Sequence, residues 1–68
     1  MVNYAPLWET MRKRKVSAYA LVEKHGINNY TLTRMRRNMH VSTRTLEDLC
    51  GILGCRVQDI VEISKEPP

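Results

Sequence analysis

The sequence predicts an all-α domain of five short helices around one hydrophobic core. Apolar residues recur at three- and four-residue spacing almost throughout. Capping residues and glycines punctuate these stripes at matching intervals. No stretch sustains the two-residue alternation of a half-buried strand. The 68 residues suit one domain spanning 1–68, and a chain of this size buries only about 60% of its unfolded surface, so its core is thin.

The first helix is expected over about residues 4–14, with Leu7, Trp8 and Met11 on its apolar side. Asn3 precedes it as a cap, and Pro6 falls in the first turn, where its missing N–H costs nothing. Ser17 caps a second helix over 18–25, with Leu21, Val22 and His25 facing inward. Gly26 supplies a left-handed turn, and Ile27 plugs the corner from inside. Asn28 caps a third helix over 29–37, held by Leu32 and Met35. Ser42 caps a fourth over 43–53, with Leu46, Leu49, Cys50 and Leu53 as its stripe and Gly54 as its stop. A fifth helix is expected over 57–63, from Val57, Ile60 and Val61, before a frayed tail over 64–68. Trp8 and Tyr4 read as core and rim of the first helix, and the four methionines as gap-fillers.

Charge is unevenly placed. Residues 1–40 carry eight Lys or Arg against Glu9 and Glu23, whereas residues 41–68 carry three against five acids. Such an imbalance fits a polyanionic partner for one face, with a merely solvated surface as the plain alternative. No apolar run approaches the length of a membrane span. The N-terminus lacks the pattern of a signal peptide, so a cytoplasmic location is expected.

The segment Ser17 to Asn38 has the physics of a helix, a tight turn and a second helix. Asn29, Tyr30, Thr33, Arg34 and Arg37 share the outer side of the second by helical spacing. This segment resembles the helix-turn-helix of the Cro/cI-type family, also called xenobiotic-response-element-like. Val41 to Leu46, followed by Leu49 to Ile60, is similar to that family's downstream helices and its Leu-Gly stop. The resemblance covers residues 4 to 63 and implies a compact five-helix lambda-repressor-like DNA-binding domain. Two positions depart from the family pattern. Ala18 stands where relatives often carry Gln, and Val22 where a small residue is common.

The resemblance implies that the third helix is a recognition helix reading base edges in the major groove. Asn29, Tyr30, Thr33, Arg34 and Arg37 are then the candidate base readers. Candidate phosphate contacts are Ser17 and Ala18 at a helix start, and Arg36, Ser42, Thr43 and Arg44 on the other flank. Arg14 and Lys15, from the basic run Arg12 to Lys15, complete that set. A homodimer on a palindromic operator is a further expectation of this resemblance; the apolar edge of Val57, Ile60, Val61 and Ile63 either forms its contact or merely finishes the core. The other reading is a protein-interaction module on the same fold, antitoxin-like or regulator-binding.

Catalysis finds no support. Glu9, Glu23, Glu47 and Asp48 form no evident acid–base pair, and neither a nucleophile triad nor a phosphate-cradling loop is present. No cofactor is expected. Cys50 and Cys55 lie five apart with His25 and His40 far upstream, which is poor zinc spacing. A buried free thiol is expected at Cys50, ahead of a disulfide or a metal site. His25, at a position that faces the core in relatives, is expected to be packed or half-exposed rather than a ligand or switch, and His40 is a lesser phosphate candidate.

Overall fold

The computed structural model describes residues 1–65. Four α-helices carry the fold: α1 (Ala5–Arg14), α2 (Ala18–Glu23), α3 (Asn29–Arg36) and α4 (Thr43–Leu53). Their starts follow the capping residues. The side chains of Ser17, Asn28 and Ser42 accept from the backbone N–H of Ala20, Tyr30 and Thr45, at 3.0, 2.7 and 3.2 Å. Asn3 Oδ1 accepts from Ala5 N–H at 2.7 Å, and Pro6 lies in the first turn of α1.

The helix ends share a device that only one glycine announces. α1, α3 and α4 stop on left-handed residues: Lys15 (φ +58°), Asn38 (φ +55°) and Gly54 (φ +62°). In each case the next N–H reaches back five residues: Val16 to Met11, Met39 to Arg34 and Cys55 to Cys50, at 3.0, 3.0 and 3.1 Å. These are Schellman-type closures, which satisfy carbonyls the helix leaves unpaired.

The core is one cluster of Tyr4, Leu7, Met11, Leu21, Ile27, Leu32, Met35, Leu49, Leu53 and Ile60. It draws on every helix, so each amphipathic stripe is buried against the others. α1 packs on α4 and on the turn that follows α4, where the Thr10 hydroxyl donates to the Asp59 carbonyl at 2.7 Å. Among the described residues, no helix is long and apolar enough to cross a membrane.

The expected fifth helix is absent. Val57–Asp59 forms a single 3-10 turn, in which Asp59 accepts from Arg56 N–H at 3.1 Å. The chain then extends into β2 (Glu62–Ile63), antiparallel to β1 (Val2–Asn3), with Val2 opposite Ile63 and Asn3 opposite Glu62. The β-branched Val61 and Ile63 suit an extended backbone, and β1 supplies ladder partners that residues 60–63 would lack as one more helical turn. The fold is therefore mostly helical with a terminal two-stranded ribbon. Two-residue strands are too short for alternation to betray them.

Smaller corrections follow the same lines. α2 ends at Glu23, and His25 is exposed rather than packed inward. Met1 and Met39 are exposed and fill no gap, while Met11 and Met35 lie in the core. Cys50 is half-buried, not buried. Ile60 is fully buried, which removes it from any contact surface, whereas Val57 and Ile63 are exposed. Ser64 N–H donates to the Met1 carbonyl, so the ribbon holds the start of the expected frayed tail. Residues 66–68 of that tail lie outside the described residues.

Candidate nucleic-acid interface

α2 and α3 are joined by residues 24–28. Gly26 takes φ +73°, and the Ile27 N–H donates to the Leu21 carbonyl at 3.0 Å. Ile27 points into the core from this corner. Leu32 and Met35 bury one side of α3 completely. Helical geometry therefore turns Tyr30, Thr33, Arg34 and Arg37 to the opposite side, with Asn29 at its start.

The five residues expected to share this face do share it. Asn29, Tyr30 and Arg37 are exposed, and Thr33 and Arg34 are half-buried at its margins. The Asn29 amide and the Arg37 guanidinium hold no partner among the described residues. Tyr30 projects a ring that is 66% exposed, a large area for an aromatic residue in a thin domain. The Thr33 hydroxyl donates to the Asn29 carbonyl at 3.1 Å, leaving its lone pair and methyl group outward.

Arg34 is differently placed. Its Nε and one Nη donate to the His40 carbonyl at 3.2 and 2.8 Å. The same guanidinium lies 5.9 Å from the Tyr30 ring centroid, within cation–π range. Arg34 thus braces both the segment after α3 and the aromatic ring on its outer side. His40 is exposed beside it.

The flanking residues divide by partner. Ser17 and Ala18 open α2, and Ser42 and Thr43 open α4; Ser17, Ser42 and Thr43 are exposed and Ala18 is half-buried. Arg36 lies over the half-buried Trp8, 6.0 Å from the ring centroid. Arg44 pairs loosely with Asp48 at 3.6 Å on the exposed side of α4. Arg14 instead donates to the Gly54 carbonyl at 3.2 Å, capping the far end of α4. Lys15 is exposed at the turn before Ser17.

The sequence reading missed two residues that position this surface. Tyr4 is buried, and its hydroxyl donates to the Met39 carbonyl at 2.9 Å. Burial pushes its phenol above the ordinary 10.0, against opposing effects of the Val41 backbone and the Arg34 charge. Asn38 accepts from Tyr4 N–H at 3.1 Å and takes the left-handed turn that ends α3. Its residue type was the available signal, since Asn after glycine best tolerates that conformation. Tyr19, 67% exposed near the start of α2, is a third aromatic beside the helix pair.

Comparison with known proteins agrees with this geometry. The Cro/C1-type HTH DNA-binding domain matches residues 6–66. Among solved structures, the chain is similar to the crystal structure of transcriptional regulator VanUg, Form II. The two share 31% identity with a TM-score of 0.85, over 96% of this chain and 87% of that one. No curated protein sequence matches significantly. With the family pattern spanning α1 to the ribbon and the helix pair built as that pattern requires, the chain belongs to the Cro/C1-type helix-turn-helix DNA-binding family.

Proposed function

We propose that this protein is a sequence-specific transcriptional regulator that lays α3 in the major groove of an operator. One observation carries the proposal: the side of α3 facing away from the core presents unpartnered donors and acceptors at Asn29 and Arg37 around an exposed Tyr30. Base edges in the major groove are read by such hydrogen-bonding groups and by apolar contact with the thymine methyl. Asn29 offers a bidentate amide for adenine, and Arg37 a fork for guanine. Tyr30 and the Thr33 methyl provide apolar contact. Arg34 sits at the edge of the face, with two of its donors already used on His40.

Phosphates are held on both flanks. Ser17 with the Ala18 N–H, and Lys15 before them, take one strand. Arg36, Ser42, Thr43 and Arg44 take the other, where helix starts bring unpaired N–H groups toward the anion. Arg14 serves α4 first, through Gly54. The reading extends to two copies on a palindromic operator, with half-sites one helical turn apart. A DNA partner is consistent with the cytoplasmic location expected from the sequence. A protein-binding role for the same face is disfavoured by Arg34, Arg36 and Arg37, because interface cores are depleted in charge.

Selection from random duplexes with the purified protein tests this. The expected result is a consensus sequence, with the logarithm of affinity falling against log salt by about 0.9 per phosphate, for roughly four phosphates. Recovery of unenriched sequence, with no salt-dependent binding, would overturn the proposal.

A further inference from the structure

The closure of α4 differs chemically from the one that ends α1. In a Schellman-type cap, the residue after the left-handed turn commonly lies against the residue five before it. At α1 that pair is Val16 and Met11, both apolar; at α4 it is Cys55 and Cys50. Both the Gly54 and Cys55 N–H groups donate to the Cys50 carbonyl, which fixes the backbone on either side of the pair. The Cys55 N–H lies 3.1 Å from the Cys50 carbonyl, so the two side chains leave directly hydrogen-bonded stretches of backbone. Both side chains are half-buried against the core, so each is also partly open to solvent. The chain holds only these two cysteines, so no other internal thiol competes for either.

We propose that Cys50 and Cys55 are a redox modification site, closing reversibly to an intramolecular disulfide that clamps the C-terminal end of α4. The oxidant is a low-molecular-weight disulfide such as oxidised glutathione. One protein thiolate attacks a glutathione sulfur, forming a mixed disulfide and expelling one glutathione thiolate. The second protein thiolate attacks the protein sulfur of that mixed disulfide, and the other glutathione leaves. The protein gives up two protons and two electrons, and one oxidised glutathione becomes two reduced ones. Only four residues separate the pair, and the Gly54 cap has already brought their backbones together. Burial first, and then the neighbouring Cys50, push the Cys55 thiol above its ordinary 9.0, so the reaction quickens as pH rises.

The experiment treats the whole folded protein with oxidised glutathione and follows intact mass, free thiols and thermal midpoint. The expected product has lost two hydrogens, carries no glutathione, has no free thiol and shows no disulfide between chains. Its midpoint rises by about 5 °C and returns on reduction. Cys50→Ser and Cys55→Ser should each stop at a single glutathione adduct with no such rise. Wild-type protein that ends as glutathione adducts, as a disulfide-linked dimer or with both thiols intact would overturn the pairing. An internal disulfide that lowers the midpoint would overturn the clamp.

Discussion

The backbone N–H of Tyr4 donates to Oδ1 of Asn38 across 3.1 Å, joining the start of α1 to the residue on which α3 ends. The outer helix thereby takes its orientation from the N-terminal segment as well as from its own buried side. Asn38→Gly keeps the left-handed turn and loses only the acceptor, at an expected cost of about 1 kcal/mol. Asn38→Ala loses the acceptor and strains the turn, at about 2 kcal/mol or more. Urea unfolding of the two variants separates the contributions, and equal costs would show that the turn geometry carries no strain.

The Tyr4 hydroxyl gives that junction a dependence on alkaline pH. Its folded pKa is raised above 10.0, so the folded state holds the phenolic proton more tightly than the unfolded chain does. The stabilisation is fully present below pH 10.0 and is lost as pH rises through the folded value. Stability measured against pH should fall more steeply in this range for the wild type than for Tyr4→Phe. Parallel curves would contradict the assignment.

Lys15 adopts φ +58° at the end of α1, where its side chain makes no hydrogen bond or ion pair among the described residues that a smaller residue would forfeit. Lys15→Gly is therefore expected to raise stability by about 1 kcal/mol, because glycine enters this region without a Cβ clash. Denaturant midpoints decide it, and a loss of stability would show that the Lys15 side chain supports the fold.

Arg34 couples His40 to Tyr30. Under the proposed function, Arg34→Ala should relax preference at the base step that Tyr30 touches and cost about 1 kcal/mol of fold stability. Binding compared across a set of single-base operator variants reads the first effect. A uniform loss on all of them would make Arg34 a phosphate clamp instead.

Asn29→Ala should lose about 1–3 kcal/mol of discrimination at one base pair, with non-specific binding retained. Unchanged preference at every position of the selected site would remove Asn29 from the reading face.

Much of this architecture was legible because it rests on local chemistry. Ser17, Asn28 and Ser42 each cap the helix they precede, and the stripes through Leu21, Leu32 and Leu49 are buried as their spacing requires. The outer residues of α3 follow from the inner ones, since burying Leu32 and Met35 leaves Tyr30 and Arg37 no other direction. What escaped depends on partners distant in sequence. The stripe through Val57, Ile60 and Val61 fits a helix locally, but β1, about sixty residues away, pulls the chain into a ribbon. Arg14 and Arg34 read as free cations because nothing in the sequence places the carbonyls of Gly54 and His40 beside them. Lys15 and Asn38 end helices left-handed without the glycine that would announce it.

The most direct measurement is a nuclear magnetic resonance titration of isotope-labelled protein with the duplex recovered by selection. The largest shifts should fall on Asn29, Tyr30, Thr33 and Arg37, with a second set at Ser17 to Ala20 and Ser42 to Arg44. Shifts confined to the terminal ribbon, or amides along α3 unmoved at saturating DNA, would contradict the placement of that helix in the groove.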